Sequence, residues 1–262
     1  VSKEDLEKNP HYQNFEWIGK TGIEAYYESY LRGELGEITL FRKANLEIIN
    51  QALTKEPKEG NHLYLTIDSE FQNYLYKRLE QQIKILGGER GGVAIALEPN
   101  TGKILALVSY PGFDSNLFSQ GISSEEFNKW ISSETKPLFN RAISGLYNPG
   151  STIKPIIGIA GLEEGLIDPS EKIETHGYLE IPNPYNPSQP YIFLDWRNNG
   201  IVDLKSALAR SSNVYFYILG GGFEKREGLG IQRIVKYFEK FQLDQLTQID
   251  LLGEKTGILP NP

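Results

Sequence analysis

The sequence predicts a mixed α/β fold of the α+β kind, and three stretches carry that expectation. Residues 69–86 have helical periodicity, with Leu75, Leu79, Ile83 and Leu86 recurring on one face. Residues 93–97 and 104–108 are apolar runs of strand length, and the turn residues Pro99-Asn100-Thr101-Gly102 join them as a hairpin. An apolar run that includes Ile156, Ile157, Ile159, Ala160 and Leu162 follows the break at Pro149-Gly150 and is long enough for a helix.

Residues 1–59 are polar with interspersed aromatics. Gly22 precedes a helix-like run from Ile23 through Tyr26, Tyr27 and Tyr30 to Leu31, and Arg32-Gly33 closes it. Its tyrosines suit packing and interfaces. Residues 55–60, Lys-Glu-Pro-Lys-Glu-Gly, read as a linker, and residues 63–67 as a strand. Asp68 caps the helix that follows, and Gly87-Gly88 ends it. After the hairpin, residues 110–140 form a loop and a helical segment. Residues 168–200, rich in Pro, Asn and Tyr, read as an irregular insertion. Asp203 caps a helix through Ala209. Ser211-Ser212-Asn213 then lies between that helix and the apolar run 214–219.

Composition narrows the chemistry. The 262 residues suffice for one large or two modest domains with a real core. A net charge of −7 argues against a general nucleic-acid surface. With no cysteine, thiol catalysis, disulfides and thiolate zinc sites are excluded. His11, His62 and His176 are widely separated and each reads as a loop or surface residue. There is no G-x-S-x-G elbow for a Ser-His-Asp hydrolase. Gly19-Lys20-Thr21 imitates the end of a phosphate loop, but Asn14 stands where its first glycine belongs and Phe15, Glu16 and Trp17 intervene. No apolar run reaches the ~18 residues of a membrane span. The chain contains no methionine and starts at Val1, so the expectation is an excised or processed piece.

Ser151 and Lys154 carry the strongest chemical signal. Three residues apart at a helix start, they project to one side. A serine hydroxyl needs a base to become a nucleophile. Lysine can be that base if burial or a second cation brings it below its free pKa of ~10.4, and the positive end of a helix pushes the same way. Pro155 disfavours helical geometry at Lys154, so the helix proper is expected to start slightly later than Ser151. Ile153, Ile156, Ile157 and Ala160 fall opposite, while Gly158 and Gly161 leave room for another backbone. A second Ser-x-x-Lys, Ser133 to Lys136, runs into Pro137 without an apolar helix behind it and reads as a solvated loop. Ser211-Ser212-Asn213 has two readings. It can place a hydroxyl and an amide in a cleft, or serve as a turn or helix cap.

In order along the chain, Gly22-Ile23-Glu24 with Leu31-Arg32-Gly33, Leu65-Thr66-Ile67-Asp68, Val108-Ser109-Tyr110-Pro111, Pro149-Gly150-Ser151-Thr152-Ile153-Lys154-Pro155 and Ser211-Ser212-Asn213 resemble the class B penicillin-binding proteins. The stretch from Ile249-Asp250-Leu251 to Gly257, with Leu259-Pro260, is most similar to the elongation type, penicillin-binding protein 2. The resemblance implies a transpeptidase domain with an antiparallel sheet and a buried active-serine helix over residues 60–262. The end of an elongated pedestal, or dimerisation-type, domain is implied over residues 1–59.

The resemblance further implies peptidoglycan cross-linking without a cofactor or metal. Ser151 would attack the D-Ala-D-Ala carbonyl of a stem peptide, and β-lactams would acylate it too. Lys154 would be the base, Ser211 would relay the proton, and Asn213 would hold the substrate amide and orient Lys154. The backbone N–H of Ser151 would supply half the oxyanion hole. A lipid-linked glycan polymerase of the shape, elongation, division and sporulation type is the implied protein partner, and nucleic acid is not. An N-terminal membrane span outside this sequence and an extracytoplasmic catalytic domain are implied as well. Serine β-lactamase and non-catalytic β-lactam sensor or scaffold are the alternatives. Lys20-Thr21-Gly22 and Lys255-Thr256-Gly257 are both expected to be unrelated to the family's third motif. The second stands between Gly253-Glu254 and Leu259-Pro260, which excludes a strand. That motif is expected beyond Pro262.

Overall fold

The computed structural model describes residues 3–8, 12–13 and 16–261, which fall into two compact units. The first comprises residues up to 145 together with 248–255, and the second residues 146–247 with 256 onward. His11 and the Asn14-Phe15 part of the imitation phosphate loop lie outside the described residues.

In the first unit, α1 (Lys3–Lys8) precedes α2 (Gly22–Tyr26) and α3 (Glu28–Leu31). The last two replace the single helix expected over 23–31, and Tyr27 is the break between them. An antiparallel ribbon follows, β1 (Glu37–Arg42) with β2 (Ile48–Lys55), exposed along both strands. The stretch 55–60 is no free linker. Lys55 ends β2, Lys58 bridges to Glu34, and Gly60 lies too close to the Leu31 carbonyl to carry a Cβ.

Residues 63–67 do not form a strand. Thr66 Oγ1 donates to the Ile104 carbonyl (2.7 Å), and Asp68 N, just beyond the segment, to the Leu105 carbonyl (3.0 Å), but no strand ladder forms. Helix α4 (Ser69–Leu86) begins at Asp68, whose Oδ1 accepts from Phe71 N (2.9 Å), and ends at Gly87 with φ +68°. Ile83 of its stripe is buried, but Leu86 is 59% exposed.

Strands β3 (Gly92–Leu97) and β4 (Ile104–Tyr110) form the expected hairpin. Gln72 clamps α4 to β4, donating to the Leu107 carbonyl and accepting from its N–H. Residues 110–140 contain α5 (Asn116–Gln120) and α6 (Ser124–Ser132). The Ser133–Lys136 copy is a loop in which Ser133 pairs with Thr135, and buried Arg141 of α7 (Arg141–Ser144) donates to the Thr135, Lys136 and Phe139 carbonyls. The 248–255 segment returns to this unit through Tyr27 Oη to Asp250 (2.6 Å) and Ser144 Oγ to the Gly253 carbonyl (2.7 Å).

The second unit is built around α8 (Lys154–Glu163), entered through a 3-10 turn at Gly150–Ile153. Residues 168–200 are not irregular throughout. They hold β5 (Ile173–Thr175), β6 (Tyr178–Ile181) and β7 (Tyr191–Leu194), and β8 (Gly200–Val202) follows. The pairings are antiparallel, β5 with β8 and β6 with β7. Strands this short carry too little periodicity to stand out among Pro and Asn.

Helix α9 (Leu204–Ala209) starts in a capping box of Asp203 and Ser206. Helix α10 (Asn213–Gly221) is apolar nearly all round and accordingly buried. Helix α11 (Gly230–Lys240) puts Tyr237 and Phe238 into the same core. In α8, Ile157 and Ala160 are buried with them, whereas Ile159 is 40% exposed. Gly158 and Gly161 face side chains rather than a neighbouring backbone. A Cβ on Gly161 would stand 2.7 Å from Leu219 Cδ1, and one on Gly158 3.1 Å from Leu204 Cδ1.

Candidate active site

Ser151 and Lys154 lie at the entrance of α8, the serine in the 3-10 turn and the lysine at the first helical residue. Gly150, at φ +57°, turns the chain so that the 3-10 turn can begin, a conformation that suits glycine. Thr152 Oγ1 locks the turn on the Pro149 carbonyl (2.7 Å). Lys154 is the first residue of α8, and Pro155 follows where a missing N–H costs nothing. The resulting serine is exposed and the lysine buried. Both line one cavity of about 730 Å³ with mostly apolar walls, among them Phe193, Phe216 and Phe238.

Within the second unit, α10 and the loop before it supply the partners of Lys154. Its Nζ donates to the Ser211 carbonyl (2.8 Å), to Ser211 Oγ (3.1 Å) and to Asn213 Oδ1 (2.7 Å). Ser151 Oγ is not among these partners. The face of the Phe216 ring lies 5.6 Å from Nζ. Burial pushes the lysine below its ordinary pKa, and the charge of Asp195 opposes that shift. The arrangement therefore offers a lysine eased toward its neutral form, bonded to one hydroxyl, Ser211 Oγ, and lining the same cavity as a second, that of Ser151, which suits deprotonating a serine and passing the proton on.

Ser211-Ser212-Asn213 satisfies both of its sequence readings at once. The middle residue is the cap. Ser212 is fully buried and its Oγ accepts from Tyr215 N (3.4 Å) at the start of α10. The flanking residues turn toward Lys154. Ser211 does so at φ +51°, a left-handed conformation costly for a residue with a Cβ.

Sequence reasoning missed Asp195, which lies just after β7 and bonds to Ser212. Nothing in its immediate neighbours marks it, because its partners are supplied by a segment far along the chain. The cavity wall residues Phe193 and Phe216 were also missed. Of the remaining candidates, His62 and His176 are exposed. Lys255, Thr256 and Gly257 are exposed in irregular backbone, and Gly257 lies too close to the Leu243 carbonyl to carry a Cβ.

Comparison with known proteins gives two family matches. Residues 92–262 match the Penicillin binding protein transpeptidase domain, and residues 1–65 the Penicillin-binding Protein dimerisation domain. The peptidoglycan D,D-transpeptidase MrdA of Acinetobacter baumannii is 36% identical over 247 residues, covering 94% of this chain and 34% of the relative. The chain thus spans about a third of the curated relative's length. Among solved structures, Pseudomonas aeruginosa PBP2 in complex with WCK 5153 is 35% identical at a TM-score of 0.70, covering 93% of this chain and 47% of that one. Helicobacter pylori PBP2, in a complex with MreC, is 28% identical at a TM-score of 0.78, with coverages of 99% and 45%.

Proposed function

This chain belongs to the penicillin-binding protein transpeptidase family, and on that premise we propose that it is part of an elongation-type peptidoglycan D,D-transpeptidase of class B. Ser151 attacks the penultimate D-alanine carbonyl of a stem peptide, and Lys154 takes its proton. Ser211 relays that proton to the departing D-alanine amine. Asn213 orients Lys154 through its Oδ1. An amine of a neighbouring stem peptide then resolves the acyl-enzyme, and a β-lactam enters the same first step as a substitute for D-Ala-D-Ala. The observation that carries this reading is the set of three hydrogen bonds that Lys154 Nζ donates to Ser211 and Asn213 beside a cavity that Ser151 also lines.

Residues 1–59 form the end of the pedestal and residues 60–262 the transpeptidase part in this reading. Partners follow from the same assignment. A lipid-linked glycan polymerase is proposed to dock on the pedestal side, in keeping with the peptidoglycan synthase complex and the MreC complex described for structural relatives. No helix among the described residues is long and apolar enough to cross a membrane. By likeness to the family, an N-terminal membrane anchor is proposed, with the catalytic domain on the outer side of the cytoplasmic membrane.

The test is intact-protein mass spectrometry of the full-length protein treated with penicillin. One adduct is expected, located on Ser151 and lost in Ser151→Ala. An adduct that survives this substitution sinks the assignment.

A further inference from the structure

We propose that Asp195 is a positioning residue: its carboxylate holds the first turn of α10 so that Ser211 and Asn213 meet the Lys154 amine. The proposal rests on the site reading given above and deepens it. Asp195 Oδ2 accepts from Ser212 Oγ (2.8 Å), Val214 N (3.1 Å) and Asn199 Nδ2 (3.2 Å). Its Oδ1 accepts from Trp196 N (2.8 Å), and the Asn213 N–H is a further donor to the carboxylate.

These donors include first-turn groups of α10 that no intrahelical carbonyl can reach. They also sit at the positive end of the helix, where an anion is favoured. Burial alone would push the Asp195 carboxyl up, but the Asn213 and Val214 N–H groups and the Ser212 hydroxyl outweigh it and hold it below the usual carboxylate range. Asp195 therefore stays ionised across neutral pH.

The consequence for the site is geometric. The carboxylate clamps Ser212 by its side chain and Asn213 by its backbone, the two residues that follow Ser211. The left-handed Ser211 is then fixed from both sides, with its own N–H on the Leu208 carbonyl (3.0 Å) and the Ser212 N–H on the Ala207 carbonyl (2.9 Å). Only in that pose do the Ser211 carbonyl and hydroxyl and the Asn213 amide converge on one amine. Asn213 Nδ2 also reaches the carbonyl of Leu194, the residue before Asp195 (3.5 Å). One segment thus holds both ends of the asparagine.

Asp195→Asn tests the proposal, because it keeps the shape and removes the charge. Lys154 is faced by Ser211 from the loop before α10, and by Asn213 and the Phe216 ring from α10 itself. Asp195 is the charged group whose field reaches it. In the full-length protein, the acylation rate of Asp195→Asn with a fluorescent penicillin is expected to fall of the order of 10- to 100-fold at its pH plateau, the scale of a displaced catalytic group. The acid limb of its pH profile should shift to lower pH, since Lys154 loses the charge that favours its protonated form. A merely structural role lowers thermal stability and leaves that limb in place. An unmoved limb or a wild-type plateau overturns the proposal.

If Asp195→Asn does not accumulate as folded protein, Ser212→Ala is read instead. It breaks the clamp but keeps the carboxylate, so the plateau should fall while the limb stays where the wild type has it. An unchanged plateau in Ser212→Ala overturns the proposal as well. Failure of the underlying site reading looks different: the wild-type protein itself would carry no adduct on Ser151.

Discussion

Lys154→Met separates the base from the fold. Methionine matches the length of the lysine stem and retains its packing beside Phe216. What disappears is the Nζ with its bonds to Ser211 and Asn213. Hydrogen bonds from a charged donor are worth roughly 1.5–3 kcal/mol each, but an ammonium held in a buried position costs several kcal/mol in lost hydration. The two effects oppose each other, and Ser211 and Asn213 are only partly buried, so water can replace the lost donor. Stability should change by no more than about 2 kcal/mol. Acylation has no such offset. A general base contributes about 10²- to 10⁴-fold, and Lys154 also anchors both of its partners, so the loss should reach the upper end of that range or exceed it.

The pH dependence supplies a second readout of the same change. Burial lowers the lysine pKa in the folded protein. Wild-type acylation should therefore rise with pH through a value below the ~10.4 of a free lysine. Below the folded pKa the amine is charged in both states, and its burial penalty is fully present. Between the folded and unfolded values the unfolded chain holds more protons, so stability climbs with pH. Both trends should vanish in Lys154→Met. The assay is the rate of labelling of full-length protein by a fluorescent penicillin, run beside thermal unfolding over the same pH series. Wild-type labelling in Lys154→Met, or an acid limb that survives there, refutes Lys154 as the base.

Two further outcomes are expected. Gly161→Val should destabilise the protein by about 1–3 kcal/mol in denaturant unfolding, the usual cost of overpacking, because a Cβ there meets Leu219 at 2.7 Å and Ile167 at 3.2 Å; an equal or higher midpoint contradicts the packing described for α8. Lys255→Ala should leave penicillin labelling of the full-length protein unchanged, given its exposed, irregular backbone; lost labelling with the fold retained would make Lys255-Thr256-Gly257 the third motif after all.

Local rules made a good part of this molecule legible in its sequence. Asp68, the stripe through Ile83 and Gly87 define α4 within one segment, and the turn at residues 99–102 defines the hairpin of β3 and β4. Asp203 marks α9 in the same way. Each of these signals acts between residues a few positions apart. The Ser151–Lys154 pair is equally local, since helical spacing alone puts both on one side. Tertiary structure decided the rest. Residues 63–67 have strand composition but no ladder partners, while β5 to β8, only three or four residues long among Pro and Asn, do find partners. Ser211 and Asn213 bond to a lysine 57 and 59 positions away, and Ser212 to an aspartate 17 positions away. Periodicity and turn chemistry carry no information over such separations. Ser211-Ser212-Asn213 is both cap and Lys154 partner only because packing of α8 against α10 brings Lys154 to one side of the motif and the end of β7 brings Asp195 to the other.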